Sequence, residues 1–188
     1  FAVHATPALP LMLRSIDVTL AISPDGSHIA YVANTSEANL VIRAIDRYRV
    51  TYLTGVPAMY KMILAEKDAL ARHDVTSVRY AVCGSAEVPE ELLDEFRRVF
   101  GAPIGEGYGL TEGGPVPIVN TRWGLKKRNS CGLAFPGCDV RLVDEADRDV
   151  GVDGVGELVT RNPGLAKGYW KLPEATAGFV TFGPHAND

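Results

Sequence analysis

Hydrophobic and polar positions alternate singly at the start of this chain and change texture near Val50. In DVTLAI, Val18, Leu20 and Ile22 fall on one side, which predicts a strand. SPDG follows, with Pro24 where φ must be about −65° and Gly26 where φ can be positive, so a hairpin turn into HIAYV is predicted. LVIR, from Leu40 to Arg43, continues the β texture as a further strand. From Val50 onward strands and helices alternate. VTYL is a short apolar strand and Gly55-Val56 a turn. PAMYKMILAEKDAL is one helix, opened by Pro57, with Met59, Met62, Ile63 and Leu70 at helical spacing. VRYAV is a strand of the buried type that runs into CGSAE and then PEELLDEFRRVFG. That last helix has Pro89, Glu90 and Glu91 in its first turn, Arg97 and Arg98 in its last, and Gly101 as its stop. Its apolar face is Leu92, Leu93, Phe96, Val99 and Phe100. API leads into EGYGLTEGG, a glycine-rich turn. Beyond Thr121, CDVRLVD, GVGELVT and NPGLAKGYW predict short strands in a small barrel or distorted sheet.

The expected fold class is therefore α/β: a β-hairpin segment over 1–44, strand–helix alternation over 45–121, and a β-rich subdomain over 122–188. At 188 residues, 46% hydrophobic and 22% charged, the chain is long and apolar enough for a real core. A net charge of −4 gives no basis for nucleic-acid binding, and Lys126-Lys127-Arg128 reads as a solvated loop. No apolar run is long enough to span a membrane, and ALPLML, from Ala8 to Leu13, lacks the flanks of a signal peptide. Cys83, Cys131 and Cys138 form no CxxC pair, and His4, His28, His73 and His185 have no ligand spacing. That argues against a zinc knuckle or disulfide framework and favours a reducing, cytoplasmic setting.

Ligands of open α/β sheets bind outside the carboxyl ends of neighbouring strands. CGSAE follows one strand and EGYGLTE the next, so the two turns are expected to face a common crevice. One turn offers backbone amides and carbonyls to a planar base. The other offers the Tyr108 ring for stacking, the Thr111 hydroxyl for a phosphate oxygen, and Glu112 as a hard oxygen ligand suited to Mg²⁺.

Five motifs come in the order and spacing of a known family: TYLTGVPAMY, VRYAVCGSAEVP, PIGEGYGLTEGG, SCGLAFPGCDVRLVDE and GVGELVTRNPGLAKGYWKLPEATA. Between Ile45 and Ala177 the chain resembles the middle portion of the adenylate-forming superfamily, which contains acyl-CoA synthetases, firefly luciferases and peptide-synthetase adenylation domains. The resemblance implies part of that family's large domain. It implies an adenine-facing turn at Gly84, Ser85 and Ala86, with Ser85 replacing a usual glycine and Glu87-Val88 departing from Pro-Leu. It implies nucleotide contacts along Glu106, Gly107, Tyr108, Gly109 and Thr111, the aromatic stack falling to Tyr108 and the phosphate hydroxyl to Thr111. Glu112 is implied as the magnesium carboxylate, so Thr111 and Glu112 carry the catalytic role. Gly55, Val56 and Pro57 match the segment beside the acyl pocket. The implied chemistry is adenylation of a small carboxylic acid by ATP with Mg²⁺, releasing pyrophosphate, then transfer to a thiol such as coenzyme A.

Other family parts are not matched. A phosphate loop with its lysine would lie upstream, and a W-x-x-T-G-D aspartate would follow Ala177, where this chain reads GFVTFGPHAND. Because losing one preorganised donor costs roughly 10²–10³ in rate, little ligase activity is expected of the chain alone. ISPDGSHIAYVANTSEANLVIRAID resembles one repeat of a prolyl-oligopeptidase or Tol-associated β-propeller, which makes a junction of two families a further expectation. Two alternatives stay open. An esterase-like hydrolase would use Cys83 or Ser85 in a strand–turn–helix near a helix N-terminus, with His73 or His185 as base. A non-catalytic fragment would hold nucleotide or serve as a scaffold. Exposed sheet edges would favour a homo-oligomer.

Overall fold

The computed structural model describes residues 19–22, 29–32, 38–114, 116–123 and 127–179. The chain divides into two compact units, Phe1–Ile104 and Gly105–Asp188. In the first unit β1 (Thr19–Ile22) and β2 (Ile29–Val32) pair antiparallel, Ile22 opposite Ile29, as the alternation predicts. The SPDG turn itself lies outside the described residues, as do ALPLML, His4, His28, Lys126, His185 and 180–188. β1 also pairs antiparallel with β3 (Tyr52–Gly55), and β3 runs parallel to β4 (Tyr80–Cys83). A parallel pair needs a crossover, and α2 (Pro57–Ala65) and α3 (Lys67–Arg72) supply it. After α4 (Glu90–Phe100) the chain returns beside β4, where the Ala81 N–H donates to the Pro103 carbonyl at 3.1 Å.

Three expectations are corrected here. LVIR is not a strand but part of the helix α1 (Ala38–Tyr48). A run of β-branched residues hid a helical period: Ala38, Val41, Ile42 and Ile45 are the buried positions. The predicted single helix over 57–70 breaks at Glu66, whose ψ of 58° leaves the helical range while its N–H still bonds the Ile63 carbonyl. The break starts α3 on a new line. There Ala69 is buried and the Lys67 ammonium donates to Glu95 of α4 at 2.6 Å. Pro89 stands just ahead of α4 as its cap residue, in an extended conformation, rather than inside the first turn.

The core of this unit is aromatic and aliphatic. Tyr60 and Phe96 meet edge to face at 5.3 Å, and Phe96 stacks on Phe100 at 4.2 Å. Both are favoured ring geometries. The buried Tyr60 hydroxyl donates to the Val82 carbonyl at 2.8 Å, which ties α2 to β4. Burial pushes its phenol well above the ordinary tyrosine value.

In the second unit β5 (Ile104–Tyr108), which straddles the boundary, pairs antiparallel with β6 (Ile118–Val119), and β6 with β7 (Leu133–Ala134). Glu106, Gly107 and Tyr108 are thus strand residues, and the turn begins only at Gly109. The pairing of Gly107 with Val119 overrides the flexibility that the glycines suggested. Gly132, at φ +108°, passes so close to Val119 that a Cβ would lie 2.2 Å from its carbonyl. No other residue fits there. β8 (Asp139–Val143) and β9 (Glu157–Arg161) form a separate antiparallel pair. Among the described residues there is no barrel, and NPGLAKGYW makes no strand but a loop leading into α5 (Pro173–Phe179), a helix not expected from the sequence. Among the described residues no helix is long and apolar enough to cross a membrane.

Asp74, just after α3, accepts the Thr76 hydroxyl at 2.6 Å, the Thr76 N–H at 2.9 Å and the Arg49 guanidinium at 2.5 Å. These donors, Thr76 first, hold its carboxyl well below the usual carboxylate range. A depressed folded value stabilises above the unfolded value of about 4 and is lost as pH falls through the folded one. Acid titration of helical circular dichroism should therefore show a shallower decline below pH ~4 for Asp74→Asn than for the parent. Superimposable acid limbs would show that these bonds do not persist in solution.

Candidate functional site

The two turns singled out in the sequence lie in separate units, and each is built by its own neighbours. In the first unit, parallel pairing sets Gly55 opposite Cys83, so β3 and β4 end side by side. The Gly84 N–H donates to the Gly55 carbonyl at 3.3 Å, which brings Gly84, Ser85 and Ala86 next to Gly55, Val56 and Pro57. Val56 is the extended residue ahead of α2, and its carbonyl accepts the Met59 and Tyr60 amides at 3.0 and 3.3 Å. Pro57 is buried, while Ser85 and Ala86 are exposed and Val88 anchors the far end of the turn in the core. Ser85 has φ of +67°, in the left-handed region that a Cβ disfavours.

For the hydrolase alternative, Cys83 is fully buried at the end of β4, and α4 begins only at Glu90, so neither Cys83 nor Ser85 sits at a helix N-terminus. The Nδ1 atom of His73 lies 2.8 Å from the Asp46 carboxylate, tying α3 to α1.

In the second unit Tyr108 ends β5 as a residue 41% exposed, and Gly109, Leu110 and Thr111 are exposed after it. Glu106 and Gly107 are half-buried in the strand, the Glu106 carbonyl accepting the Asn120 N–H at 2.8 Å. The turn then folds back onto the loop 162–169. The Ala166 N–H donates to the Glu112 carbonyl at 2.8 Å, and the Asn162 carboxamide donates to the Gly113 carbonyl at 2.6 Å. Gly114, at φ +77°, passes Asn162 so closely that a Cβ would lie 2.7 Å from its Oδ1. The Tyr169 hydroxyl donates to Glu112 Oε1 at 2.5 Å. That bond, and then the residue's own backbone N–H, holds the half-buried Glu112 carboxyl below its ordinary range, while the carboxylate pushes the Tyr169 phenol up. Glu112 is therefore an anion at neutral pH, aimed and partly solvated.

A family model described as "AMP-binding enzyme" matches residues 15–170. The chain belongs to the AMP-binding enzyme family. The matched span takes in β1, β2 and α1 together with both turns. A long-chain-fatty-acid–CoA ligase of Bacillus subtilis strain 168 is 33% identical over 143 residues, covering 76% of this chain and 25% of the relative. The 4-coumarate–CoA ligase 2 of Oryza sativa subsp. japonica is 35% identical over 150 residues, covering 77% and 26%. The crystal structure of the anthranilate CoA ligase AuaEII with anthranoyl-AMP superposes with a TM-score of 0.70 at 29% identity, over 77% of this chain and 28% of that one. The chain thus spans about a quarter of the length of the curated relatives it matches.

Asn162 and Tyr169 are the residues that sequence reasoning missed. Both stand in the NPGLAKGYW motif quoted for the family, without an assigned role. A usable signal was present: Gly114, Gly164 and Gly168 mark close backbone approach, and Gly168 leaves 2.4 Å to the Thr176 methyl for any Cβ.

The Ser85 backbone gives a direct test. Removing its Cβ relieves a left-handed cost of roughly 1–2 kcal/mol and adds unfolded-state entropy of nearly the same size, for a net gain of up to ~1 kcal/mol. Denaturant unfolding followed by helical circular dichroism should rank Ser85→Gly at or above the parent and Ser85→Val clearly below it. A Ser85→Gly variant less stable than the parent would contradict the assigned φ.

Proposed function

We propose that this chain supplies nucleotide- and acyl-facing turns of an ATP-dependent acid–CoA ligase. In the proposed reaction a carboxylate oxygen attacks the ATP α-phosphorus and pyrophosphate leaves; the thiol of coenzyme A then attacks the adenylate carbonyl, loses its proton and releases AMP as the thioester forms. The carboxylic acid would be a fatty or aryl acid, by analogy with the long-chain fatty acid and 4-coumarate ligases it is similar to. The observation that carries the reading is the turn after β5, where an exposed aromatic residue, a hydroxyl and an ionised carboxylate follow one another within Tyr108–Glu112.

The roles proposed are specific. Gly84, Ser85 and Ala86 face adenine with backbone groups, Tyr108 stacks on the base, and Thr111 donates to a phosphate oxygen. Gly55, Val56 and Pro57 line the acyl side. Glu112 suits magnesium. Its carboxylate accepts the Tyr169 hydroxyl on Oε1 and also its own backbone N–H, and its two oxygens still have lone pairs for an ion. Among the described residues no cluster of three or more His, Cys, Asp or Glu could hold an ion as a protein cage. One carboxylate, with the remaining ligands from phosphate and water, is the donor set that Mg²⁺ favours over Ca²⁺ or Zn²⁺. When bound, the ion would neutralise phosphate charge as pyrophosphate departs.

Calorimetry tests this on the chain itself. ATP with Mg²⁺ should bind, and Tyr108→Ala should weaken binding at least about fivefold, since base stacking on an aromatic is worth roughly 1–3 kcal/mol. Absence of ATP binding by the parent chain, or an unaltered affinity in Tyr108→Ala, would contradict the proposal.

A further inference from the structure

We infer that Tyr169 is a positioning residue for Glu112, acting from the 162–169 loop to fix how the carboxylate is presented to a divalent cation; the cation itself rests on the function proposed above. The hydroxyl of Tyr169 reaches across 57 positions of sequence to Glu112 Oε1. Its own place is set from the other side. The Tyr169 N–H donates to the Thr176 hydroxyl at 2.9 Å, and that hydroxyl donates in turn to the Leu172 carbonyl at 2.8 Å, at the start of α5. Gly168 allows the approach, because a side chain there would collide with Thr176. The backbone under Glu112 is held independently, by Ala166 on its carbonyl and Asn162 on that of Gly113.

Backbone and side chain of one carboxylate are thus fixed by two different parts of a single loop. A half-buried glutamate without such a partner samples more than one rotamer and offers either oxygen. With Oε1 engaged by a neutral donor, the anion is retained, because a tyrosine hydroxyl at neutral pH gives a hydrogen bond without cancelling charge. A lysine or arginine in this place would neutralise the group and compete with a cation. Outer partners of this kind typically alter metal affinity by 10–100-fold.

The test is a double-mutant cycle on the full chain with Tyr169→Phe, Glu112→Gln and both together. Tyr169→Phe keeps the ring and loses only the hydroxyl. Two quantities are read: the ratio of ATP affinity with and without Mg²⁺, and the Glu112 side-chain carboxyl ¹³C chemical shift without nucleotide. Tyr169→Phe should lower the Mg²⁺-linked ratio by about tenfold and leave metal-free ATP affinity unchanged. It should have no further effect on the Glu112→Gln background. The Glu112 carboxyl resonance should move in Tyr169→Phe. Equal losses with and without Mg²⁺, or additive effects of the two substitutions, would overturn the positioning role. If the parent binds no ATP at all, the functional proposal fails separately. An unmoved carboxyl resonance would then still overturn the contact, and a moved one would uphold it.

Discussion

The second unit depends on one side chain, the carboxamide of Asn162. Its nitrogen donates to the Gly113 carbonyl at 2.6 Å, and its oxygen accepts the Gly164 N–H at 2.8 Å. It thereby closes its own turn and pins a second one 49 positions earlier in the chain. Gly114 makes the approach possible, and the Ala166 amide completes the seam on the Glu112 carbonyl. Without that seam the residues after Tyr108 would be a glycine-rich loop with many accessible states, and the ring, hydroxyl and carboxylate would share no fixed frame. Ordering such a loop costs roughly 1–2 kcal/mol per residue in backbone entropy, so several fixed bonds are needed to offset it.

The two units solve their stability problems differently. The first has a closed apolar cluster in which Ile42, Ile45, Leu53, Tyr60, Phe96 and Phe100 are fully buried. The second exposes much of its large apolar surface, with Trp123 77%, Leu133 75% and Trp170 86% accessible. Its order rests more on backbone-directed hydrogen bonds: the Asn162 seam, the Asn120 carboxamide on the Ser130 carbonyl, and the Asp144 carboxylate on the Ala146 and Arg148 amides. Hydrogen bonds are directional, while apolar burial is not. A unit held in this way defines turn geometry well with little core, and turn geometry is what the proposed site requires.

Much of the fold was legible because local patterns and tertiary demands agreed. VTYL and VRYAV overlap the parallel strands β3 and β4, although β3 runs two residues later than expected and takes in Gly55, which was expected in a turn; the helix from Glu90 to Phe100 stopped at Gly101 in a left-handed conformation. Where they disagreed, the reading slipped. Val41, Ile42 and Ile45 look like a strand by residue type and like a helix by spacing, and burial against the core decided for the helix. Glu66 carries no breaker signal, because its break is imposed by what α3 must reach. The candidate turns were located from glycines and chemistry, but their support was not. Tyr169 and Asn162 act on residues far away in the chain, and no local period encodes a contact of that kind.

The most direct test of this account is amide hydrogen exchange at Ala166, whose N–H closes the seam on the Glu112 carbonyl. If the 109–114 turn is fixed by the 162–169 loop, the Ala166 amide is protected in the parent chain and approaches the unprotected rate in Asn162→Ala. An Ala166 amide that already exchanges at the unprotected rate in the parent would contradict the account at its centre.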